Sequence, residues 1–157
     1  MGQLTVAARL EADLGIDRLV WLGNGLHGDH TDGHVDNLAR FVAEGRLAIP
    51  VPESVGDPNS EIYGDARYLA EESKLEVVPV PSPGRVEKDN AVVAASYMNF
   101  YIGNAAVVVP VYGAVNDEAA VELIGALFPD RRAVGLRADH VLTGGGSFHC
   151  ISQQVPR

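Results

Sequence analysis

The spacing of hydrophobic residues along the chain changes repeatedly, and each change predicts a new element. Residues 4–14 carry apolar side chains at three- and four-residue intervals, which predicts an amphipathic helix. Two further helices are predicted over residues 59–75 and 116–128, where asparagine or aspartate stands at a capping position. Short runs rich in valine, isoleucine and leucine predict strands over residues 18–22, 34–42, 46–51, 76–80, 96–102, 105–112, 132–136 and 148–153.

These elements form two copies of one unit, in which a hairpin is followed by a helix and a strand. The turn at residues 43–45 closes the first hairpin, and Gly103-Asn104 closes the second. A helix and a strand precede the two copies, and the opening strand of another copy follows them, which makes about two and a half units. The repetition predicts an α/β fold of equivalent units around an axis, with residues 1–157 as part of a larger ring.

Composition and charge narrow the classes of function. The chain has 157 residues, is 46% hydrophobic and 21% charged, and carries no apolar run long enough to span a membrane. One cysteine cannot form an internal disulfide and no signal peptide is visible, so a cytoplasmic location is expected. A net charge of −9 argues against nucleic acid and favours a small cationic substrate.

The residues most suited to catalysis lie at equivalent positions of the repeated unit. His34 and Asp36 lie on the first strand of one unit, Asn99 on that of the next, and Cys150 on that of the last. Equivalent strands converge on an axis, so these side chains are expected to meet. Three glycines at residues 144–146 allow backbone to approach a ligand beside Cys150. A single cysteine with a distant histidine and aspartate is typical of a nucleophile, although a buried, inert cysteine is the simpler alternative.

Other chemistry remains open at this point. A metal-dependent hydrolase is one alternative, because imidazoles and carboxylates crowd one segment. Its candidate ligands are His27, Asp29, His30, Asp32, His34 and Asp36. Residues 23–28 match the GxGxxG spacing of nucleotide loops, but the acidic stretch that follows is a poor helix and would repel phosphate. A Cys-His-Asp hydrolase acting on amides is a further alternative.

Three motifs carry a family resemblance. They are Gly28-Asp29-x-Thr31-Asp32-Gly33-His34-Val35-Asp36-Asn37, then Ser96-Tyr97-x-Asn99-Phe100, then Gly144-Gly145-Gly146-Ser147-Phe148-His149-Cys150-Ile151-x-Gln153-Gln154-x-Pro156. Together they resemble the agmatine deiminases, in the agmatine/peptidyl-arginine deiminase branch of the guanidino-group-modifying enzymes. The resemblance implies part of a five-bladed α/β propeller, the C-terminal portion of such an enzyme, with no metal or other cofactor. An N-terminal motif that supplies a further substrate-binding carboxylate in that family has no counterpart here.

The implied reaction is hydrolysis of agmatine to N-carbamoylputrescine and ammonia, a step of putrescine biosynthesis. By resemblance, Cys150 would attack the guanidinium carbon, His34 would act as acid and then base, and Asp36 would hold the guanidinium nitrogens. The predicted substrate-binding residues are Asp36, Asn99, Asp29 and Gly146. Arginine or a peptidyl arginine is an equally open substrate. A non-catalytic fragment is the alternative function, and a second copy or a complementary N-terminal half is the expected partner.

Overall fold

Two three-stranded sheets form the framework of the protein, for which a computed structural model describes residues 2–29 and 33–155. The helices are α1 (Gln3–Leu14), α2 (Val35–Leu38), α3 (Ser60–Glu72) and α4 (Asp117–Ala126), with 3-10 helices at Tyr97–Asn99 and Leu142–Gly144. The strands are β1 (Arg40–Ala43), β2 (Arg46–Val51), β3 (Glu76–Pro81), β4 (Glu87–Lys88), β5 (Ala91–Val92), β6 (Tyr101–Ile102), β7 (Ala106–Val111) and β8 (Arg132–Arg137). None of the helices among these residues is both long and apolar enough to cross a membrane.

Both three-stranded sheets are built in the same way. β1 and β2 form an antiparallel hairpin, and β3 returns parallel to β2 after α3. β6, β7, α4 and β8 repeat this arrangement. A parallel return needs a crossover helix, which explains why a helix precedes each third strand. The mixed α/β fold and the repeated hairpin–helix–strand unit predicted from the sequence are therefore confirmed.

The central strands are buried because both of their faces are covered. Val107 and Val109 of β7 are completely buried, as are Ala48 and, almost completely, Ile49 of β2. A central strand covered on both faces is expected to be continuously apolar, as β7 is throughout and β2 is after Arg46. The helices pack closely through small or apolar side chains; the fully buried ones are Ala66 and Ala70 of α3 and Ala120 and Ile124 of α4.

The prediction of one strand over residues 34–42 was wrong. The chain instead forms the short helix α2 before β1 begins at Arg40. The reason is a contact with the second unit: Asn99 Nδ2 donates to Asp36 Oδ2 and to Asn37 Oδ1. Consecutive side chains on a strand point to opposite faces, so Asp36 and Asn37 could not both reach one amide from a strand. The helical turn brings them to the same side.

The predicted final strand over residues 148–153 was also wrong, because this segment is a turn. The turn is closed by Ile151 N donating to Ser147 O at 3.2 Å and Ser152 N donating to His149 O at 3.0 Å. The predicted strand over residues 18–22 has irregular backbone. The one over residues 96–102 contains the 3-10 helix Tyr97–Asn99 and is a strand only at Tyr101–Ile102. The errors at residues 34–42, 96–102 and 148–153 fall in the segments that carry Asp36, Asn99 and Cys150.

The two helix caps were predicted in the right place but act differently. Asn59 and Asn116 stand at the N-cap positions of α3 and α4, and neither side chain caps its own helix. Asn59 Oδ1 instead accepts the backbone N–H of His27 at 2.7 Å. This bond fastens the glycine-rich loop of residues 23–28 to the first unit.

Candidate active site

Cys150 lies in an exposed turn, within hydrogen-bonding distance of side chains from both units. Its Sγ is 3.1 Å from Asp36 Oδ2 and 3.1 Å from Asn99 Nδ2. Asp36 Oδ2 also accepts from Asn99 Nδ2 at 3.1 Å. The structure thus brings together Asp36, Asn99 and Cys150, which are 51 or more residues apart in sequence.

Asn99 organises the turn that carries the cysteine. Its side chain is completely buried, and its Oδ1 accepts backbone N–H groups from Ser147 at 2.8 Å, His149 at 3.1 Å and Cys150 at 3.3 Å. Its Nδ2 faces the other way, toward Asn37, Asp36 and the thiol. A buried amide that accepts several backbone bonds fixes a turn, because each of those groups would cost free energy if left unpaired.

Gly146 is required by the shape of the same turn. A Cβ placed on Gly146 would lie 2.7 Å from the Cβ of Cys150 and would also overlap its sulfur. Neighbouring Gly145 adopts a positive φ of 86°, and its carbonyl accepts from Asn37 Nδ2 at 3.4 Å. The glycines therefore let the turn fold tightly enough to seat the cysteine. Direct substrate binding by Gly146 stays a prediction.

His149 is a site residue that the sequence analysis passed over. Its Nδ1 lies 2.5 Å from Asp36 Oδ2, and its side chain is 31% exposed. On the predicted strand, His149 and Cys150 would have pointed to opposite faces. In the observed turn, the side chains of His149 and Cys150 both point toward Asp36. The position of His149, immediately before the cysteine, was the one feature of the sequence that could have identified it.

Asp36 remains ionised while the thiol of Cys150 resists ionisation. Burial by itself would raise the pKa of Asp36, but hydrogen bonds with His149 and Cys150 hold that pKa below its ordinary value. The pKa of Cys150 is raised, first by burial and then by the adjacent carboxylate, while the hydrogen bond from Asn99 opposes the rise. One negative charge thus lies beside a largely protonated thiol at neutral pH.

His34 and Asp29 lie beside this cluster. The backbone N–H of His34 donates to Asp29 Oδ2 at 2.8 Å, and the Asp29 side chain is almost completely buried. The His34 side chain is 40% exposed, and its charge contributes to the lowered pKa of Asp36. Among the hydrogen bonds of the described residues, none joins His34 to Cys150. Asp29 therefore supports the backbone at His34, and the catalytic role of that imidazole stays a prediction.

The metal ligands suggested by the sequence do not assemble within the described residues. His30 and Asp32 lie outside those residues, and His27 is exposed. Within the described ranges, the ligand atoms that come together, all within 4.8 Å of one another, belong to Asp36, His149 and Cys150.

Two cavities open beside the cluster. Asp36 and His149 line one of about 510 Å³, whose other walls include Arg18, Leu19 and Phe41. His34 lines the second, of about 410 Å³, together with the loop of residues 19–25. Both volumes lie in the range of small-molecule sites. Asp36 and His149 thus face a space of small-molecule size, whose lining also includes the cationic side chains of Arg18 and Arg40.

Arg40 joins the two units beneath the site. Its Nη1 donates to Phe100 O at 2.9 Å and to Met98 O at 3.3 Å, and its guanidinium lies 4.8 Å from the centre of the Phe100 ring. Burial lowers the pKa of Arg40 and the charge of Asp36 raises it. This cation therefore holds the 3-10 helix that presents Asn99.

The arrangement agrees with what is known of other proteins. Residues 1–156 match the family described as Porphyromonas-type peptidyl-arginine deiminase. The chain belongs to that family. The resemblance stated from the three motifs is thereby confirmed.

Several similar proteins are named agmatine deiminases, while one solved structure is provisionally named an arginine deiminase and another a peptidyl-arginine deiminase. A Listeria monocytogenes protein provisionally named agmatine deiminase 1 is 36% identical over 174 residues, covering 94% of this chain and 47% of that protein. The agmatine deiminase of Enterococcus faecalis has 32% identity and a TM-score of 0.90, covering 100% of this chain and 49% of that one. A cysteine-to-serine variant of the Campylobacter jejuni enzyme with substrate bound has 27% identity and a TM-score of 0.87, covering 95% and 45%. This family member thus spans about half the length of its relatives, corresponding to their C-terminal portion.

Proposed function

We propose that the chain carries the nucleophilic part of a guanidinium deimination site. The reaction is hydrolysis of agmatine to N-carbamoylputrescine and ammonia. The observation that supports this most directly is the 3.1 Å approach of Cys150 Sγ to Asp36 Oδ2. A carboxylate that binds a guanidinium at this distance would present its central carbon to the sulfur. The agmatine deiminase names of the relatives favour the same substrate.

Binding of the substrate uses the ionised state of Asp36. A guanidinium is planar and presents paired N–H donors, which a carboxylate accepts in two parallel charge-assisted bonds. Asp36 is 18% exposed, so it is reached from the cavity but sheltered from bulk water. The negative charge of the whole chain adds long-range attraction for a cation.

The reaction begins with nucleophilic attack by Cys150. The Cys150 thiolate adds to the guanidinium carbon, and the C–N bond to one terminal nitrogen breaks as that nitrogen takes a proton and leaves as ammonia. The remaining S–C bond is a covalent thiouronium-type adduct. Water adds to its carbon, the S–C bond breaks, and the ureido product leaves with the thiol restored. The sum is one water consumed and one ammonia released.

Substrate binding itself would favour the reactive thiolate. The carboxylate of Asp36 is one of the groups that raise the pKa of Cys150. A guanidinium bound to Asp36 offsets that negative charge and places a positive one beside the sulfur, which lowers the pKa of the thiol. The nucleophile is therefore generated when there is substrate to attack.

Proton transfer is assigned to His34, with His149 as the second candidate. His34 is the acid and then the base implied by the family motif, and it lines one of the two cavities. His149 is favoured by a different observation, the 2.5 Å contact with Asp36, which orients its ring beside the cysteine. Comparing His34→Gln with His149→Gln in single-turnover assays separates them. Loss of the residue that transfers protons should slow both the departure of ammonia, which needs an acid, and the hydrolysis of the covalent adduct, which needs a base.

The proposal also includes the fold of the complete site and the partner that would complete it. The two repeated units and the TM-scores of 0.87 and 0.90 support a place in a five-bladed α/β propeller. A complementary N-terminal half, or a second copy of the chain, would supply the remaining substrate contacts. Val35 and Phe41 are 61% and 59% exposed beside the 510 Å³ cavity and are available to such a partner. A cytoplasmic location suits a single free cysteine.

The test is release of ammonia and N-carbamoylputrescine from agmatine by the purified chain. Cys150→Ser should abolish both, while Ser73→Ala, at the C-cap of α3, should leave them unchanged. Ammonia release that survives Cys150→Ser would overturn the mechanism. Activity on simple amides in place of agmatine would favour the amide hydrolase, and loss of activity on chelation would favour the metal-dependent alternative.

A further inference from the structure

Asp36, His149 and Cys150 form a compact cluster of three different ligand atoms. The carboxylate Oδ2 of Asp36 lies 2.5 Å from His149 Nδ1 and 3.1 Å from Cys150 Sγ, and all three ligand atoms lie within 4.8 Å of one another. They come from two distant segments, and Asn99 holds the turn that supplies two of them. The cluster is therefore fixed by the fold rather than by chance contact of flexible side chains.

This donor set suits one class of metal ion. Thiolate and imidazole are preferred by zinc and similar soft or borderline divalent ions, whereas magnesium and calcium need several oxygen ligands. Three protein ligands leave the fourth tetrahedral position to water. The chemistry of the cluster thus selects Zn²⁺, Cd²⁺ or Co²⁺ over Mg²⁺ and Ca²⁺.

The geometry needs only a small adjustment to accept such an ion. Zinc bonds of normal length place two nitrogen or oxygen ligands about 3.4 Å apart, and a sulfur and an oxygen roughly 3.6 Å apart. The observed separations of 2.5 and 3.1 Å are shorter, so the ligands must spread by less than about 1 Å. Cys150 is exposed and His149 is 31% exposed, so an ion can reach both side chains from solvent.

We propose that Asp36, His149 and Cys150 bind one zinc-class ion, and that this ion excludes the guanidinium substrate. Binding replaces the thiol proton, which is released, with a sulfur–metal bond. It also occupies the carboxylate oxygen that would otherwise accept the substrate. The inhibitory consequence depends on the proposed deimination, but the binding does not. The site shares only Asp36 with the set of candidate ligands in residues 27–36 considered from the sequence, and the ion blocks the reaction instead of catalysing it.

The experiment is titration of the reduced, metal-free chain with Co²⁺ and then Zn²⁺. One equivalent of Co²⁺ should produce a thiolate-to-cobalt charge-transfer band and visible bands of tetrahedral intensity, and Zn²⁺ should displace both. Cys150→Ser should abolish the charge-transfer band. His149→Gln and Asp36→Asn should each weaken binding by at least about tenfold, since even loss of a supporting group commonly costs that much. His140→Gln, an exposed histidine elsewhere, is the matched control and should bind like the parent chain.

The outcomes separate this proposal from the proposed function. Zn²⁺ should inhibit ammonia release, with EDTA restoring it and excess Mg²⁺ having no effect. A chain that binds Co²⁺ through these three residues but releases no ammonia would overturn the deimination and leave the metal site standing. A chain that is active but shows no thiolate band, or whose band is unchanged in His149→Gln and Asp36→Asn, would overturn the metal site alone.

Discussion

Asp36 Oδ2 lies 3.1 Å from Cys150 Sγ, so the carboxylate that would hold a cationic substrate also disfavours the thiolate that would attack it. The two groups share a hydrogen bond, in which the protonated thiol donates to the carboxylate. A cation bound between them changes the balance in favour of the thiolate. Under the two proposals above, this single contact would couple substrate binding, ionisation of the nucleophile and competition by metal ions.

Asp36→Asn should make the free thiol ionise at lower pH. The carboxylate raises the pKa of Cys150, so a neutral amide in its place should bring that pKa down toward the ordinary value. The measurement is the rate of alkylation of Cys150 by iodoacetamide across pH. Its midpoint should move to lower pH in the variant, while deimination falls by about 10²-fold or more because a charge-assisted contact is lost.

The control for this experiment is Asp139→Asn. Asp139 pairs with Arg137 on the surface, and its replacement should leave the alkylation profile unchanged. A midpoint that stays the same or rises in Asp36→Asn would show that burial, and not the carboxylate, sets the ionisation of the thiol.

Asn99→Ala should destabilise the protein and loosen the turn that carries Cys150. The substitution removes the side-chain acceptor of three backbone N–H groups. The N–H of His149 keeps its second acceptor, the backbone carbonyl of Asn99 at 3.1 Å, whereas those of Ser147 and Cys150 lose the bond to Asn99. The expected loss is about 2–4 kcal/mol in the free energy of unfolding, measured by urea denaturation. Asn104→Ala, at an exposed turn, should change stability by less than about 0.5 kcal/mol. Equal stability of the two variants would contradict the organising role of Asn99.

Gly146→Ala should displace the nucleophile. The added methyl group would lie 2.7 Å from the Cβ of Cys150, so the turn must move to admit it. A displacement of about 1 Å commonly lowers activity by about 10²-fold, and cobalt binding should weaken as well. Gly144→Ala is a matched control, because a Cβ there meets nothing within 4 Å. Full activity of Gly146→Ala would show that the turn has more freedom than its contacts indicate.

The sequence predicted the central strands and the repeat but not the local structure of the site. Buried strands such as β2 and β7 owe their conformation to continuous apolar residues, which local patterns reveal. The turn at Cys150 and the helix α2 instead depend on hydrogen bonds to Asn99, which is 51 or more residues from Asp36, Asn37 and Cys150. The conformational propensities of neighbouring residues cannot predict a hydrogen bond to a residue so distant in sequence. The role of His149 was missed for the same reason, because its side chain points toward Asp36 only when this segment forms a turn.

Arg40→Met should both lower the stability of the protein and change the ionisation of Cys150. Arg40 bonds the carbonyls of Met98 and Phe100 and lies over the Phe100 ring, so methionine would fill space but leave two carbonyls unpaired. The expected loss is about 2–3 kcal/mol in the free energy of unfolding. Because the same 3-10 helix presents Asn99, the iodoacetamide profile of Cys150 should also change.

Arg131→Met is the matched control for Arg40. Arg131 likewise bonds a carbonyl, that of Gly103 at 2.9 Å, and lies 5.7 Å from the centre of the Phe128 ring, but within the second unit alone. It should lower stability without altering the alkylation of Cys150. If both variants lose stability and neither changes the thiol, the two units hold the site independently of Arg40. A shift confined to Arg40→Met would establish this arginine as the connection between the repeat and the nucleophile.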